Sequence, residues 1–221
     1  MNKTPLYCIS GLGADERVFR LLKFPPHVEV FHVKWLQPEI NESLSSYAAR
    51  LATQINTTQP FYLLGLSFGG IMAVELNHHL KPVKTILISS VTNRAEFSWY
   101  FKLISRLKLY EVFPYQRLTW FQRIVAYFMG TQPKGSLNLL KDYLQQTNSE
   151  YLRWSIRQIL CWQQRERIPN IVHIHGTRDK IFSSSHIKAD YWIEEGSHMM
   201  VYDKAADISR CLQTILNPVD L

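Results

Sequence analysis

The chain of 221 residues is 46% hydrophobic and 19% charged, a composition suited to one folded domain with an insertion and a sizeable core. No apolar run approaches the ~20 residues that span a bilayer, and the N-terminus lacks a signal-peptide layout, so a cytoplasmic protein is expected. Cys8, Cys161 and Cys211 are odd in number, widely separated and set among apolar neighbours, which excludes a disulfide framework or cysteine metal site and reads as buried thiols.

The elements follow in chain order. Leu6 to Ser10 is a short apolar run ending at Gly11, a buried strand, and "ADERVFRLL" after it has helical spacing up to Pro25-Pro26. Val28 to Trp35 is a second strand, and "ESLSSYAARLATQI" an amphipathic helix with a Ser-rich start. "PFYLLGLS" is a third strand, closed by glycine and followed by the apolar helix "FGGIMAVELNHHL". His78 and His79 in that helix are adjacent, whereas helical metal ligands stand three or four apart. Val83 to Ser90 is a near-continuous apolar run, the pattern of a parallel strand covered on both faces.

The alternation then stops. Residues 93 to 168 contain four stretches of helical period and no strand, punctuated by Pro114 and by Gly130 to Gly135. Strands resume at Asn170–Gly176 and Lys188–Glu194, and the chain closes on the helix "KAADISRCLQTIL". The expected fold class is therefore α/β, a doubly wound, mostly parallel sheet of about six strands. Residues 1–92 and 169–221 would form its core, and 93–168 an inserted four-helix unit.

The net charge of +7 lies in that inserted unit. Residues 93–168 carry 12 Lys and Arg against 5 Asp and Glu, and the remainder carries 13 of each. About half of the aromatic residues fall there too. No basic helix or aromatic platform motif stands out, so nucleic-acid binding is disfavoured.

Candidate chemistry converges on one sheet edge. Gly65-Leu66-Ser67-Phe68-Gly69 has the G-x-S-x-G spacing of a turn too tight for side chains two residues either side of a serine, between an apolar strand and a helix. A serine hydroxyl needs a base. His198, after the last strand and before the last helix, lies at the same C-terminal edge of the sheet. His27, His32, His173, His175 and His186 sit mid-strand or in less favourable loops. Asp179, just past "NIVHIH", is the carboxylate placed to orient an imidazole, and Glu96 is the first alternative after the fourth strand. The backbone N–H groups of Phe68, at a helix start, and Leu12, in "ISGLGAD", are candidates for an oxyanion site. A dinucleotide-binding reading of that loop fails for want of the third glycine.

With the order Ser67, Asp179, His198, the serine turn, the glycine loop after an early strand and the helical insertion, the chain resembles the α/β-hydrolase fold superfamily over nearly its whole length. The resemblance implies a helical cap over a serine, histidine and aspartate triad performing acyl transfer, without metal or cofactor. Two features depart from the pattern. The N-terminal strand pair is missing, and Ser10-Gly11 stands where many relatives have His-Gly. The aromatic residues Trp99, Phe121, Phe128 and Trp154 would line an apolar acyl pocket, or pack the cap. The basic insertion would favour an anionic partner, such as a coenzyme A ester or an acyl carrier protein. Carbon–carbon bond hydrolysis, perhydrolysis and non-catalytic ligand binding are the competing functions.

Overall fold

A computed structural model of the chain describes residues 3–112, 122–130, 142–143 and 148–217. Six strands form one parallel sheet: β1 (Thr4–Ile9), β2 (Val28–His32), β3 (Tyr62–Leu66), β4 (Lys84–Ile88), β5 (Ile171–Gly176) and β6 (Tyr191–Ile193), in the order β2-β1-β3-β4-β5-β6. The chain thus runs outward from β1 to one edge, returns to β3 beside β1, and continues to the other edge. The strand order reverses between β1 and β3, and the crevice that forms there is where ligands gather in open α/β sheets.

The pleat sorts the apolar residues onto two faces. Tyr7, Ile9, Leu63, Leu87 and Ile171 point to one side, under helices α1 (Leu44–Ala52) and α2 (Phe68–Leu76). Leu6, Cys8, Tyr62, Leu64, Leu66, Ile86, Ile88 and Ile174 point to the other, where α7 (Ala205–Ile215) contributes Ile208, Leu212 and Ile215. Burial on both faces is why β3 and β4 read as continuous apolar runs rather than alternating ones.

Helix α1 buries Leu44, Tyr47, Ala48 and Leu51, one stripe of a 3.6-residue period, and starts on the side chain of Ser43, which accepts the Ser46 N–H at 3.1 Å. In α2 every residue except Glu75 is buried. A helix apolar all round belongs in the middle of a structure. The stretch expected to be a helix after β1 is a single 3₁₀ turn, Glu16–Phe19. The Asp15 side chain accepts the Arg17 N–H at 3.0 Å at its start, and Val18, Phe19 and the following Leu22 reach the core.

Between β4 and β5 the described residues contain no strand. They contain the helices α3 (Trp99–Arg106), α4 (Gln122–Met129) and α5 (Ser149–Cys161), while a short α6 (Met200–Asp203) precedes α7. The stretch "SLNLLKDYLQQT", expected to be a further helix, lies outside the described residues except at Asp142 and Tyr143. The β4–β5 connection packs on α1 through Trp154 of α5, whose indole N–H donates to the Glu42 carbonyl at 2.8 Å and whose ring packs on Tyr47. Arg94 donates to the carbonyls of Leu160 and Trp162, tying the start of the insertion to its end. Among the described residues no helix is long and apolar enough to cross a membrane.

Ile86, fully buried in a central strand, has no room to be shortened without leaving a cavity. Ile86→Ala should cost about 2–5 kcal/mol in urea unfolding followed by far-ultraviolet circular dichroism. Leu103→Ala, at a side chain 44% exposed, should stay within about 0.5 kcal/mol.

Candidate active site

Ser67 joins β3 to α2 in a conformation that L-residues avoid, φ +54° and ψ −118°. Such a backbone persists only where its surroundings enforce it. The Ser67 N–H donates to the Ile88 carbonyl at 2.9 Å, and the Ser67 carbonyl accepts from the Ser90 hydroxyl at 2.7 Å and the Gly70 N–H at 2.9 Å. The glycines are required by contact. A Cβ on Gly65 would meet the backbone of Gly69 and Gly70, one on Gly69 the carbonyls of Ile9 and Ser10, and one on Gly70 the Ser90 hydroxyl, all inside 3.0 Å.

The loop after β1 lies against this turn: a Cβ on Gly11 would stand 3.6 Å from that of Ser67. Ser10 braces the loop by donating to the Ala14 carbonyl at 2.7 Å while accepting the Trp35 indole N–H at 3.0 Å. Trp35 also stacks on Phe68, centroids 5.2 Å apart and nearly parallel, and Trp154 meets the Phe68 ring edge-on at 6.2 Å. The first residue of α2 is thereby clamped. Its N–H, like that of any first helical residue, has no acceptor within the helix.

His198 is 3% exposed, on the loop between β6 and α6. Its Nε2 lies 2.9 Å from Ser67 Oγ and its Nδ1 2.8 Å from Asp179 Oδ2. A carboxylate only accepts, so the partners assign the proton to Nδ1 and leave the Nε2 lone pair for the serine hydroxyl. Asp179, 4% exposed, follows β5, and its Oδ1 accepts the N–H groups of Ile181 at 2.8 Å and Phe182 at 3.0 Å. Burial alone would raise its pKa. The His198 imidazole, His175 and the Phe182 N–H outweigh that and hold the carboxyl below its ordinary range. Glu96 is buried as well, but its oxygens accept the N–H groups of Thr92 and Lys188, a structural use.

The aromatic candidates fall in different places. Trp154 abuts Phe68, whereas Trp99 is 70% exposed, Phe128 is on the surface, and Phe121 lies outside the described residues. Phe182 lies edge-on to His198 at 5.6 Å and is packed with Phe97 and Phe101. Helix α4 reaches the same loops: the Met199 N–H donates to the Met129 carbonyl at 3.1 Å, and the Lys180 ammonium sits 3.5 Å from the Tyr127 ring centroid. Sequence reasoning missed Trp35, Ser90 and Phe182, since nothing local marks a residue that acts through contacts made across the chain. Among the described residues no group of three or more His, Cys, Asp or Glu is arranged to hold a metal.

With its six-stranded parallel sheet, the serine turn between β3 and α2 and the helices of the β4–β5 connection, the chain has the α/β-hydrolase fold. Solved structures agree in fold. An esterase from Exiguobacterium antarcticum superposes with TM-score 0.71 at 15% identity, covering 96% of this chain and 91% of its own. A hydrolase from Pseudomonas aeruginosa gives 0.70 at 15%, covering 97% and 90%, and a thermophilic esterase from Thermogutta terrifontis 0.69 at 13%, covering 100% and 92%. No family model matches the chain, and no curated protein is detectably similar in sequence.

Two buried histidines of β5 give the fold an acid sensitivity. Burial holds His173 well below the usual imidazole value and also lowers His175. Both are depressed on folding, so the unfolded chain takes up protons first as pH falls. Stability should therefore drop below about pH 6.5, with Asp179 adding a further loss below about pH 4. Thermal melts between pH 8 and 5 test the first step, and a melting temperature flat across that range would contradict it.

Proposed function

We propose that the protein is a serine hydrolase that cleaves an ester or thioester bond of a small to medium, apolar acyl substrate, with residues 93–168 as a cap over a core of 1–92 and 169–221. The observation that carries this reading is the hydrogen-bonded chain from Ser67 Oγ through His198 to Asp179, at 2.9 and 2.8 Å, on a serine held at positive φ.

In the reaction Ser67 Oγ attacks the acyl carbonyl while His198 Nε2 takes the hydroxyl proton, and Asp179 stabilises the resulting imidazolium. The carbonyl electron pair moves onto oxygen, and the N–H groups of Leu12 and Phe68 receive that charge. They lie on two segments packed against each other at Ser67, the arrangement that electrostatic stabilisation requires. As the carbonyl re-forms, the alcohol or thiol leaves with the proton from His198. Water, activated by the same imidazole, then releases the acid and restores Ser67. Phe182, Phe97 and Phe101 supply apolar surface beside His198.

A fluorophosphonate probe should label the wild type and not Ser67→Ala, and p-nitrophenyl ester hydrolysis should fall at least about 10³-fold in Ser67→Ala and His198→Ala. Absence of labelling in the wild type, or undiminished labelling of Ser67→Ala, would sink the reading. A chain-length series of the same esters sets the acyl preference.

The excess positive charge of 93–168 favours an anionic substrate, such as a coenzyme A ester or an ester borne on an acyl carrier protein. On this reading kcat/KM for an anionic ester should exceed that for a neutral one at low salt, with the difference shrinking as salt rises. Equal rates, insensitive to salt, would remove the anionic preference.

A further inference from the structure

Close to Asp179 lies a pair of histidines, His173 and His175, that the acyl-transfer steps do not use. His173 and His175 stand two apart on β5, so the strand period turns both to the same face, and both are fully buried. Fully buried imidazoles need a reason, because histidine loses hydration there and must find partners for two ring nitrogens.

The partners of His175 connect it to the acid. Its Nε2 lies 2.8 Å from the Phe182 carbonyl and 3.6 Å from Asp179 Oδ2, and its Nδ1 lies 3.3 Å from His173 Nε2. A carbonyl only accepts, so His175 carries its proton on Nε2, and its Nδ1 accepts from His173 Nε2–H. The Phe182 peptide is therefore used twice. Its N–H donates to Asp179 Oδ1 at 3.0 Å, and its carbonyl accepts the His175 Nε2–H. The turn from Asp179 to Phe182 is fastened on both sides, which leaves Oδ2 aimed at His198 Nδ1.

From this geometry we infer that His175 is a positioning residue for Asp179, and that His173 sets the tautomer in which His175 does so. The other groups facing the pair fit this role. His198 stands beyond Asp179, the Trp192 ring of β6 meets His175 edge-on at 5.9 Å, and the His173 N–H donates to Asp190, which pairs with Arg167. Arg167 and the neighbouring imidazole, together with burial, disfavour a proton on His173, and burial disfavours one on His175, so the pair stays neutral where His198 works. A contact with the Ser90 backbone favours a proton on His173 but is outweighed by burial, His175 and Arg167. A buried imidazole at position 173 is accounted for by the donor it supplies to His175.

The inference rests on the serine-hydrolase reading, and its test separates the two. Rates of fluorophosphonate labelling and kcat and KM for p-nitrophenyl acetate are measured from pH 5 to 9 for the wild type, His175→Phe and His175→Gln. The variants' folding is checked by circular dichroism. In His175→Phe, kcat should fall about tenfold with KM little changed, because a misaimed carboxylate weakens stabilisation of the imidazolium that forms in the transition state. The acid limb of the profile should move to lower pH, since an imidazolium less well stabilised loses its proton more readily. His175→Gln, which keeps an N–H for the Phe182 carbonyl, should recover most of both losses. The downfield His198 Nδ1–H proton resonance, which reports the bond to Asp179, should shift in His175→Phe and return towards its wild-type position in His175→Gln. A wild type that does not label defeats the hydrolase reading, and the resonance then decides the positioning role alone. Unmoved rates and pH limb in a labelling enzyme, or an unmoved resonance, overturn it. If His175→Phe does not fold, His175→Gln with wild-type kcat, pH limb and resonance supports the role, and His175→Gln with the losses expected of Phe overturns it.

Discussion

The structure depends on one close approach of backbone to backbone, that of Gly69 at the start of α2 to the carbonyls of Ile9 and Ser10 at the end of β1. A side chain at position 69 would push the helix off the sheet. With none there, the chain turns sharply enough after β3 to raise Ser67 above the strand ends at positive φ. The same contact sets the glycine loop after β1 beside the serine, so the nucleophile candidate and both oxyanion candidates are placed by a single packing event. Gly65 and Gly70 serve the same approach from the other side, against α2 itself and against Ser90.

Around this turn the candidate site is held by polar groups packed behind Ser67 and His198. Ser10 braces one loop through Trp35, and Ser90 holds the Ser67 carbonyl. Asp179 is buried yet keeps its charge because four separate groups offset its desolvation: the His198 ring, the His175 ring, and the N–H groups of Ile181 and Phe182. A buried carboxylate is costly when alone and effective when surrounded by donors in a region that excludes water. The stability of the fold and the alignment of the site thus draw on the same hydrogen bonds.

The β4–β5 connection is organised differently from the core. Among its described residues Trp99, Tyr127 and Phe128 are exposed, whereas Phe97, Tyr110, Tyr143, Tyr151 and Trp162 are buried. Among the described residues it is attached by Trp154 packing on Tyr47 and Phe68, by hydrogen bonds from Tyr100 to the Ile181 carbonyl and from the Trp162 indole to Glu75, and by the end of α4 on the His198 loop. Through these attachments a segment whose described residues contain no strand reaches the residues around Ser67.

Much of this was legible in the residues. Period-two and period-3.6 patterns are local, so the six strands and the helices α1, α2 and α7 could be read, as could the class of fold. The glycine spacing marked the turn at Ser67, and the positions of Asp179 and His198 after their strands put them at the same sheet edge. The helix expected after β1 was misread because Asp15 closes a tighter turn than the apolar spacing implies. The aromatic residues of the insertion could not be assigned, because the same ring suits a pocket wall, a packing contact or an exposed face. The sequence by itself therefore determined which elements form and which chemical groups stand at the sheet edge. Only the tertiary structure decided that Trp35, Phe182 and His175 surround those groups. Those contacts join residues far apart in the chain through shape and hydrogen-bond geometry, and neither leaves a periodic trace in the sequence.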